Sequence, residues 1–504
     1  MSPEILKCLR PHQIAPACHL EQVLRSYGSG VDLSDTGTGK TYVACAVACA
    51  LRLPTLIVCP KIAQTAWTRA GCHFGDSFSV INYEKLRTGN TPFGTWQHPL
   101  AEAEEQIEKF KCECCQCVID PKKCDPCYTN PGGFHCCGNS ITERHNYGNF
   151  SFHPNVGMVV FDEVHRCSGL HSLNSELLIG AKRQRKFIIG LSATSACSPL
   201  QLRGLGYVLD LHTLYPSGGI GYYEWAARCG CRHDPRFKGF KWFASESRQT
   251  KIMRQIREHI IPARGVRVRW ESIPNFPARE ILAEEYDLDE NGLIQSLYSE
   301  MDDALRVLEQ SASGDINAEH PLTKILRARQ RIELLKVPIA VALAEDYLAK
   351  GYSPAMFCNF RQTIDELSAR LGCSAIIDGS AEGVRERQNH IDAFQSNRAR
   401  LIILNNEAGG VSVSLQDLCG THPRVGIVFP NFSAVSMRQV FGRLHRDGGK
   451  SPCHYRVLFA SGTCEAPIAR ALRAKCNNLD ALNDSDLQPE NFRLRKSSAL
   501  STVI

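Results

Sequence analysis

The chain has 504 residues and a formal net charge of +6, with 43% of its residues hydrophobic and 22% charged, the composition of a globular protein long enough for two to four domains. It has no low-complexity tract, its apolar run Tyr42 to Leu51 is too short to cross a bilayer, and MSPEILKCLRPHQ lacks the apolar core of a secretory signal. These features argue against collagen-like, disordered, secreted and membrane-spanning classes, and a reducing intracellular compartment, cytoplasmic or nuclear, is expected. The 24 cysteines are too sparse for a disulfide scaffold in a chain this long. Cys45 and Cys49, in an alanine-rich stretch, read as small core residues.

In chain order, LSDTGTGKTYVA (Leu33 to Ala44) follows an apolar segment and opens a predicted helix, Thr41 to Leu53. A glycine loop at a helix N-terminus points backbone N–H groups at one place and so binds anions. Asp35, Thr36, Gly37, Thr38 and Gly39 would cradle phosphates, Lys40 would neutralise the β and γ phosphates of ATP, and the Thr41 hydroxyl would ligate magnesium. Ser34 stands where the G-x-x-x-x-G-K-[ST] pattern has its first glycine. A predicted strand, TLIVC (Thr55 to Cys59), comes next, and after a cysteine-rich stretch come MVVFD (Met158 to Asp162) and KFIIGL (Lys186 to Leu191). MVVFD ends in Asp162, and Glu163 follows it directly. Acids at the carboxyl edge of a parallel sheet sit where ligands bind. Asp162 would hold the metal, and Glu163 would orient and deprotonate the attacking water.

Between Arg228 and Arg269 there are twelve Lys and Arg against three acids, interleaved with Phe237, Phe240, Trp242 and Phe243. Such a stretch is either a solvated helical face or a surface for a polyanion with stackable bases. IPNFP (Ile273 to Pro277) breaks the pattern, and a largely helical, charged connector is expected over 271–336. A second run of apolar strands follows: AMFC (Ala355 to Cys358), LIIL (Leu401 to Leu404), VGIVF (Val425 to Phe429) and YRVLF (Tyr455 to Phe459). Helices are predicted over Arg361 to Leu371 and Val384 to Gln395. Apolar strands alternating with helices mean parallel sheets covered on both faces, hence an α/β chain of two doubly wound units. RQVFGRLHRDG ends the second unit. Arg443 and Arg446 lie three apart, on one face if that segment is helical, and could supply from a second domain the positive charge that the first unit lacks.

The order of these motifs resembles that of superfamily-two DExH-box helicases and translocases, most closely the Swi/Snf-type ATPases, over nearly the whole chain. LRPHQ is similar to the adenine-reading motif, which implies Gln13 as a base contact. DTGTGKT and DEVH match the two Walker motifs. VCPKIAQTAW and INYEKL resemble motifs that face nucleic acid, and GLSATSACSPLQL resembles the coupling motif, with Ser192 and Thr194 as its hydroxyls. MFCNF, IDGSAEGVRERQNHIDAFQ and NNEAGGVSVSLQD follow in the family's order, and RQVFGRLHRDGGKSP resembles the final motif, with Gln439, Arg443 and Arg446. RQIREHIIPARGVRVRWESIPNFP is similar to the Arg-rich turn at the Swi/Snf domain junction. LSATS lacks the family's usual proline, DEVH replaces the commoner DEAH, and NNEAGG replaces a Ser/Thr-rich lead-in. The resemblance implies two tandem RecA-like domains, 1–270 and 337–504, that hydrolyse ATP with magnesium at their seam. Implied too is movement along DNA, duplex rather than single-stranded, with RNA as the alternative track.

The cysteine-rich segment, about 108–147, falls between INYEKL and DEVH, as an insertion in the first domain. Cys114-x-x-Cys117 and Cys124-x-x-Cys127 have the spacing of a tetrahedral thiolate site, and Cys112, Cys115, His135, Cys136 and Cys137 would suffice for a second ion. Zinc is the expected metal, an iron–sulfur cluster the competitor. A third possibility for the whole chain is a zinc-dependent recruitment module on an inactive ATPase scaffold.

Overall fold

The computed structural model describes residues 1–97, 149–170, 172–193, 196–214, 220–234, 239–286, 288, 291–310, 321–378, 384–406, 413–431, 434–461, 465 and 492–496. The cysteines and His135 of the insertion, Thr194, Phe237 and Glu407 to Gly410 lie outside them.

The described strands are β1 (Ser29–Asp32), β2 (Thr55–Cys59), β3 (Ser79–Asn82), β4 (Gly94–Gln97), β5 (Asn149–Phe152), β6 (Met158–Asp162), β7 (Phe187–Leu191), β8 (Cys231–Asp234), β9 (Gly239–Trp242), β10 (Gly265–Val266), β11 (Arg279–Tyr286), β12 (Ser353–Cys358), β13 (Ile376–Ile377), β14 (Ile402–Asn405), β15 (Arg424–Val428), β16 (Cys453–Ala460) and β17 (Phe492–Lys496). Two parallel sheets carry the chain, in the orders β10-β1-β7-β6-β2-β3 and β13-β14-β12-β15-β16-β11-β17. β4–β5 and β8–β9 are short antiparallel ribbons. Each large sheet belongs to a doubly wound α/β domain, as the alternation of apolar strands and helices requires.

Side chains alternate across the first sheet. Val31, Leu56, Val58, Val159, Phe161 and Ile188 pack into one core, while Ile57, Cys59, Met158, Val160, Ile189 and Leu191 pack into another on the opposite face. Both faces are dry because helices cover both, which is why these strands read as unbroken apolar runs. The second sheet buries Ala355, Met356, Phe357, Ile402, Ile403, Ile427, Tyr455 and Val457 in a core of its own. Cys45 is fully buried, but Cys49 is half-buried and donates its thiol to Asp76. No described helix is long and apolar enough to cross a membrane.

Two expectations need correction. The stretch 271–336 is not wholly helical: REILAEEY forms β11, inserted between β16 and β17 in full register from Arg279↔Cys453 to Tyr286↔Ala460. The second sheet thus borrows a strand from ahead of its own run, and only then do the helices Asn291–Gln310 and Pro321–Leu335 follow. Nor do Arg443 and Arg446 share a helical face. The helix Ala434–Phe441 stops at Gly442, and both arginines lie in the turn beyond it.

Candidate active site at the seam of two domains

β1, β7 and β6 are neighbours, and Asp32 and Asp162 are both in register with Leu191. Three segments therefore leave the sheet edge side by side: the phosphate loop after Asp32, Ser192 after Leu191, and Glu163 after Asp162. The helix Lys40–Leu51 begins at Gly39, which has a φ of 91°, and Gly37 has a φ of 84°. Left-handed backbone at both positions curls the loop, which only glycine does without strain. The Lys40 ammonium donates to the carbonyls of Ser34 (2.8 Å) and Asp35 (3.0 Å). Burial lowers its pKa, against the pull of Asp32, Glu163, Asp35 and Asp162.

Gln13 lies against this loop. Its amide donates to Thr38 O at 3.1 Å, its carbonyl oxygen accepts from the Arg10 backbone N–H at 3.0 Å, and a Cβ on Gly39 would fall 2.0 Å from its Nε2. Thr38 in turn donates its hydroxyl to Asp35 O. Thr41 opens the helix, half-buried beside Lys40.

Asp162 is held from two sides. The indole N–H of buried Trp67 donates to its Oδ2 at 2.8 Å, and the Tyr83 hydroxyl donates to its backbone carbonyl at 2.8 Å. Both residues lie in segments, VCPKIAQTAW and INYEKL, that the resemblance assigned to a nucleic-acid face. Burial and the neighbouring Glu163 charge push the Asp162 carboxyl up to about 6. Glu163 goes the other way, to about 2: burial opposes ionisation, but the hydrogen bond and charge of His165, with Lys40 and Arg443, outweigh it. Paired acids with environments that push them apart divide into roles. Glu163 also sits in left-handed backbone (φ 53°), a conformation costly for a non-glycine residue and often kept at functional sites.

His165 gathers the other groups. Its Nδ1 lies 3.3 Å from Glu163 and 3.1 Å from the Ser192 hydroxyl, and its Nε2 is 3.1 Å from the Gln439 amide nitrogen of the second domain. Gln439 thus reaches the ring nitrogen that does not face Glu163 and Ser192.

The two arginines reach this edge from the other domain. A Cβ on Gly37 would lie 2.9 Å from the Arg446 Cα, and one on Gly442 would lie 2.2 Å from the Thr36 hydroxyl. The Asp447 N–H donates to Gly37 O at 3.3 Å, and Asp447 is paired with Arg10. Arg446 is fixed by its Nε–H to Gly442 O, and Arg443 by Nη1–H to Val413 O. Burial lowers both pKa values, Arg443 to about 9, where the neighbouring Arg446 adds to the effect and the Glu163 charge opposes it. The seam thus brings together every residue the sequence singles out for the nucleotide: Gln13, Asp35 to Thr41, Asp162, Glu163, Gln439, Arg443 and Arg446.

Trp67, Tyr83 and His165 were missed as holders of the acid pair, because the bonds they make join segments about 80 to 95 residues apart in the chain, or two loops of one edge. Among the described residues no cluster of three or more His, Cys, Asp or Glu is arranged to hold a metal ion.

The Type III restriction enzyme, res subunit family matches residues 9–196. A protein named "Putative ATP-dependent RNA helicase L364", of Acanthamoeba polyphaga mimivirus, is 29% identical over 519 aligned residues, spanning 98% of this chain and 87% of that protein. The mouse DNA repair and recombination protein RAD54B is 32% identical over 116 residues, 22% of this chain and 12% of its own. A structure of S. cerevisiae Dbp5 bound to RNA and ADP BeF3 aligns over 98% of this chain and 94% of that one, with 10% identity and a TM-score of 0.46, a distant likeness without functional weight. Two parallel α/β sheets meeting at a phosphate loop define an ATP-hydrolysing enzyme. More particularly, the motif order and the whole-length relative liken the chain to superfamily-two helicases.

Proposed function

We propose that the chain is a nucleic-acid motor that hydrolyses ATP between its two domains and ratchets a polynucleotide backbone across both. The observation that carries this reading is the seam: Gly442 and Arg446 of the second domain pack on Thr36 and Gly37 of the phosphate loop. Charge that develops on the γ phosphate would meet Lys40 from one side and the arginine pair from the other, so turnover requires closure. Asp162 and the Thr41 hydroxyl are hard oxygen donors at the loop mouth and suit magnesium, which when bound neutralises charge between the β and γ phosphates. Glu163, ionised and oriented by His165, is the base for water. Gln13 would read adenine from the far side of the loop, and the backbone of Thr36 to Gly39 would supply the phosphate cradle, with Asp35 at its base.

Duplex DNA is the favoured track, moved along without strand separation, on the strength of the Swi/Snf-like motifs and the short match to a DNA repair protein. RNA is the second reading, favoured by the name of the whole-length relative. Contacts to backbone phosphate carry no sequence information, so binding should be sequence-independent and salt-sensitive. ATP turnover measured with duplex DNA, single strands and RNA decides the track, with Glu163→Gln as control. Stimulation by none of them, or unchanged turnover in the control, would overturn the motor.

A further inference from the structure

The Arg-rich turn after β10 is not accounted for by hydrolysis or by the track, and the structure binds it to the phosphate loop. β10 pairs with β1, and the contact continues past the strand ends: Leu33 N–H donates to Val266 O, Val268 N–H to the Ser34 hydroxyl (2.9 Å), and Asp35 N–H to Val268 O (3.0 Å). Ser34, in place of the usual glycine, therefore uses its side chain to hold the connector. Asp35 does the same more strongly. Its Oδ1 takes the Arg267 guanidinium at 2.9 Å, its Oδ2 takes the Trp270 N–H at 3.1 Å, and Arg438 of the second domain lies 3.9 Å away. Burial disfavours the Asp35 charge, and these cations overcome it. The Trp270 ring then packs edge-on against His445 at 4.7 Å, with the Arg279 guanidinium of β11 over the Trp270 ring, and His445 stands between Arg443 and Arg446 in the chain. A continuous packed path runs from the phosphate loop through the connector to the arginine turn.

We infer that Asp35 is a positioning residue: it faces away from the nucleotide and ties the phosphate loop to the 267–270 turn, so that the connector registers an occupied loop and sets the arginine pair accordingly. Its consequence for turnover rests on the nucleic-acid motor reading. The physical link does not. A buried carboxylate shared by a connector cation and a second-domain cation has two partners that move apart when the domains open, which is what a coupling element needs.

The test uses the full chain and a non-hydrolysable ATP analogue with magnesium. Amide hydrogen exchange at Val268 and Trp270 should slow on adding the analogue, and this response should vanish in Asp35→Asn and in Arg267→Met. The double variant should lose no more than either single one, because the two changes break one link. In steady state, Arg267→Met should lower nucleic-acid-stimulated kcat about 10-fold, in the usual range for coupling between sites, and move KM for ATP less than about 2-fold. Arg267→Lys should recover part of it. The inference is overturned if the exchange response survives in Asp35→Asn, if the two substitutions act additively, or if Asp35→Asn weakens analogue binding while Arg267→Met is silent, since Asp35 would then touch nucleotide. Should Asp35→Asn fail to fold, the two Arg267 variants read the same link from its other end. A wild-type chain whose turnover no nucleic acid stimulates would defeat the motor reading and leave the exchange response to judge this one.

Discussion

The two halves of the seam are built by different means. In the first domain the reactive groups leave three adjacent strand ends, each strand buried on both faces, and Asp162 is further held by Trp67 and Tyr83. In the second domain the arginines come from a turn beyond a helix end, held by single bonds to Gly442 and Val413 and by packing on the phosphate loop itself. One half is preformed by its sheet. The other is held within its own domain by fewer bonds and meets the phosphate loop across the seam, the arrangement that the proposed closure-dependent hydrolysis needs.

The largest effect should come from removing the conditional half. Arg446→Ala should lower kcat about 10³-fold, at the low end for an arginine supplied across an interface, with ATP binding changed far less. A fall in affinity that matched the fall in kcat would make the arginine a ground-state ligand and erase the contrast. The seam contact comes next. Gly442→Ala places a methyl 2.2 Å from the Thr36 hydroxyl, so closure should be blocked and kcat reduced about 10- to 100-fold, since a small misplacement of catalytic groups can cost that much. Thr36→Gly in the same chain should restore part of it. Failure of the pair to recover any turnover would show that Gly442 acts within its own domain.

How much of this could be read from residues alone follows the same division. TLIVC, MVVFD and FIIGL announce a buried parallel sheet, and the groups that leave it are visible as Gly-Lys-Thr and Asp-Glu. β11 was hidden because REILAEEY carries four charges in eight residues and precedes a long helical stretch, so its neighbours β16 and β17 had to be seen before it could be a strand. The helix stop before Arg443 had a signal in Gly442, yet the apolar pattern of the preceding turn made continuation the natural reading. The bonds from Trp67 and Tyr83 to Asp162 had none: spacing along a chain says nothing about a contact made across two crossovers.

The preformed half can be tested through its titration. The folded-state pKa of Asp162, near 6, lies above its ordinary value of 3.8. A raised carboxylate favours folding fully below the ordinary value, and that contribution is lost as pH climbs through 6. The nucleotide-free chain at pH 7 therefore carries an ionised, poorly solvated Asp162. Asp162→Asn should raise its resistance to urea by on the order of 1–2 kcal/mol at pH 7, and by little below pH 4. Glu163 has the opposite sign: lowered to about 2, it contributes stability above its ordinary value that fades as pH falls toward 2, so Glu163→Gln should destabilise at pH 7. Equal responses from the two substitutions would mean that the acids are not divided as the geometry divides them.

The smallest effect concerns how firmly the first half is fixed. Trp67 is almost fully buried, and its only polar atom is spent on Asp162. Trp67→Phe keeps an aromatic ring in the pocket and removes that donor, so Asp162 gains freedom without losing its charge. An ordinary hydrogen bond to a charged group contributes about 1.5–3 kcal/mol, but Asp162 keeps its other contacts and only part should be felt at the metal. The magnesium concentration for half-maximal ATP binding should rise about 3- to 10-fold, while kcat at saturating magnesium stays within about 2-fold. A drop in kcat with unchanged magnesium dependence would place the role of Trp67 in the packing of its helix, Gln64–His73, and would mean that this edge is held by the sheet alone.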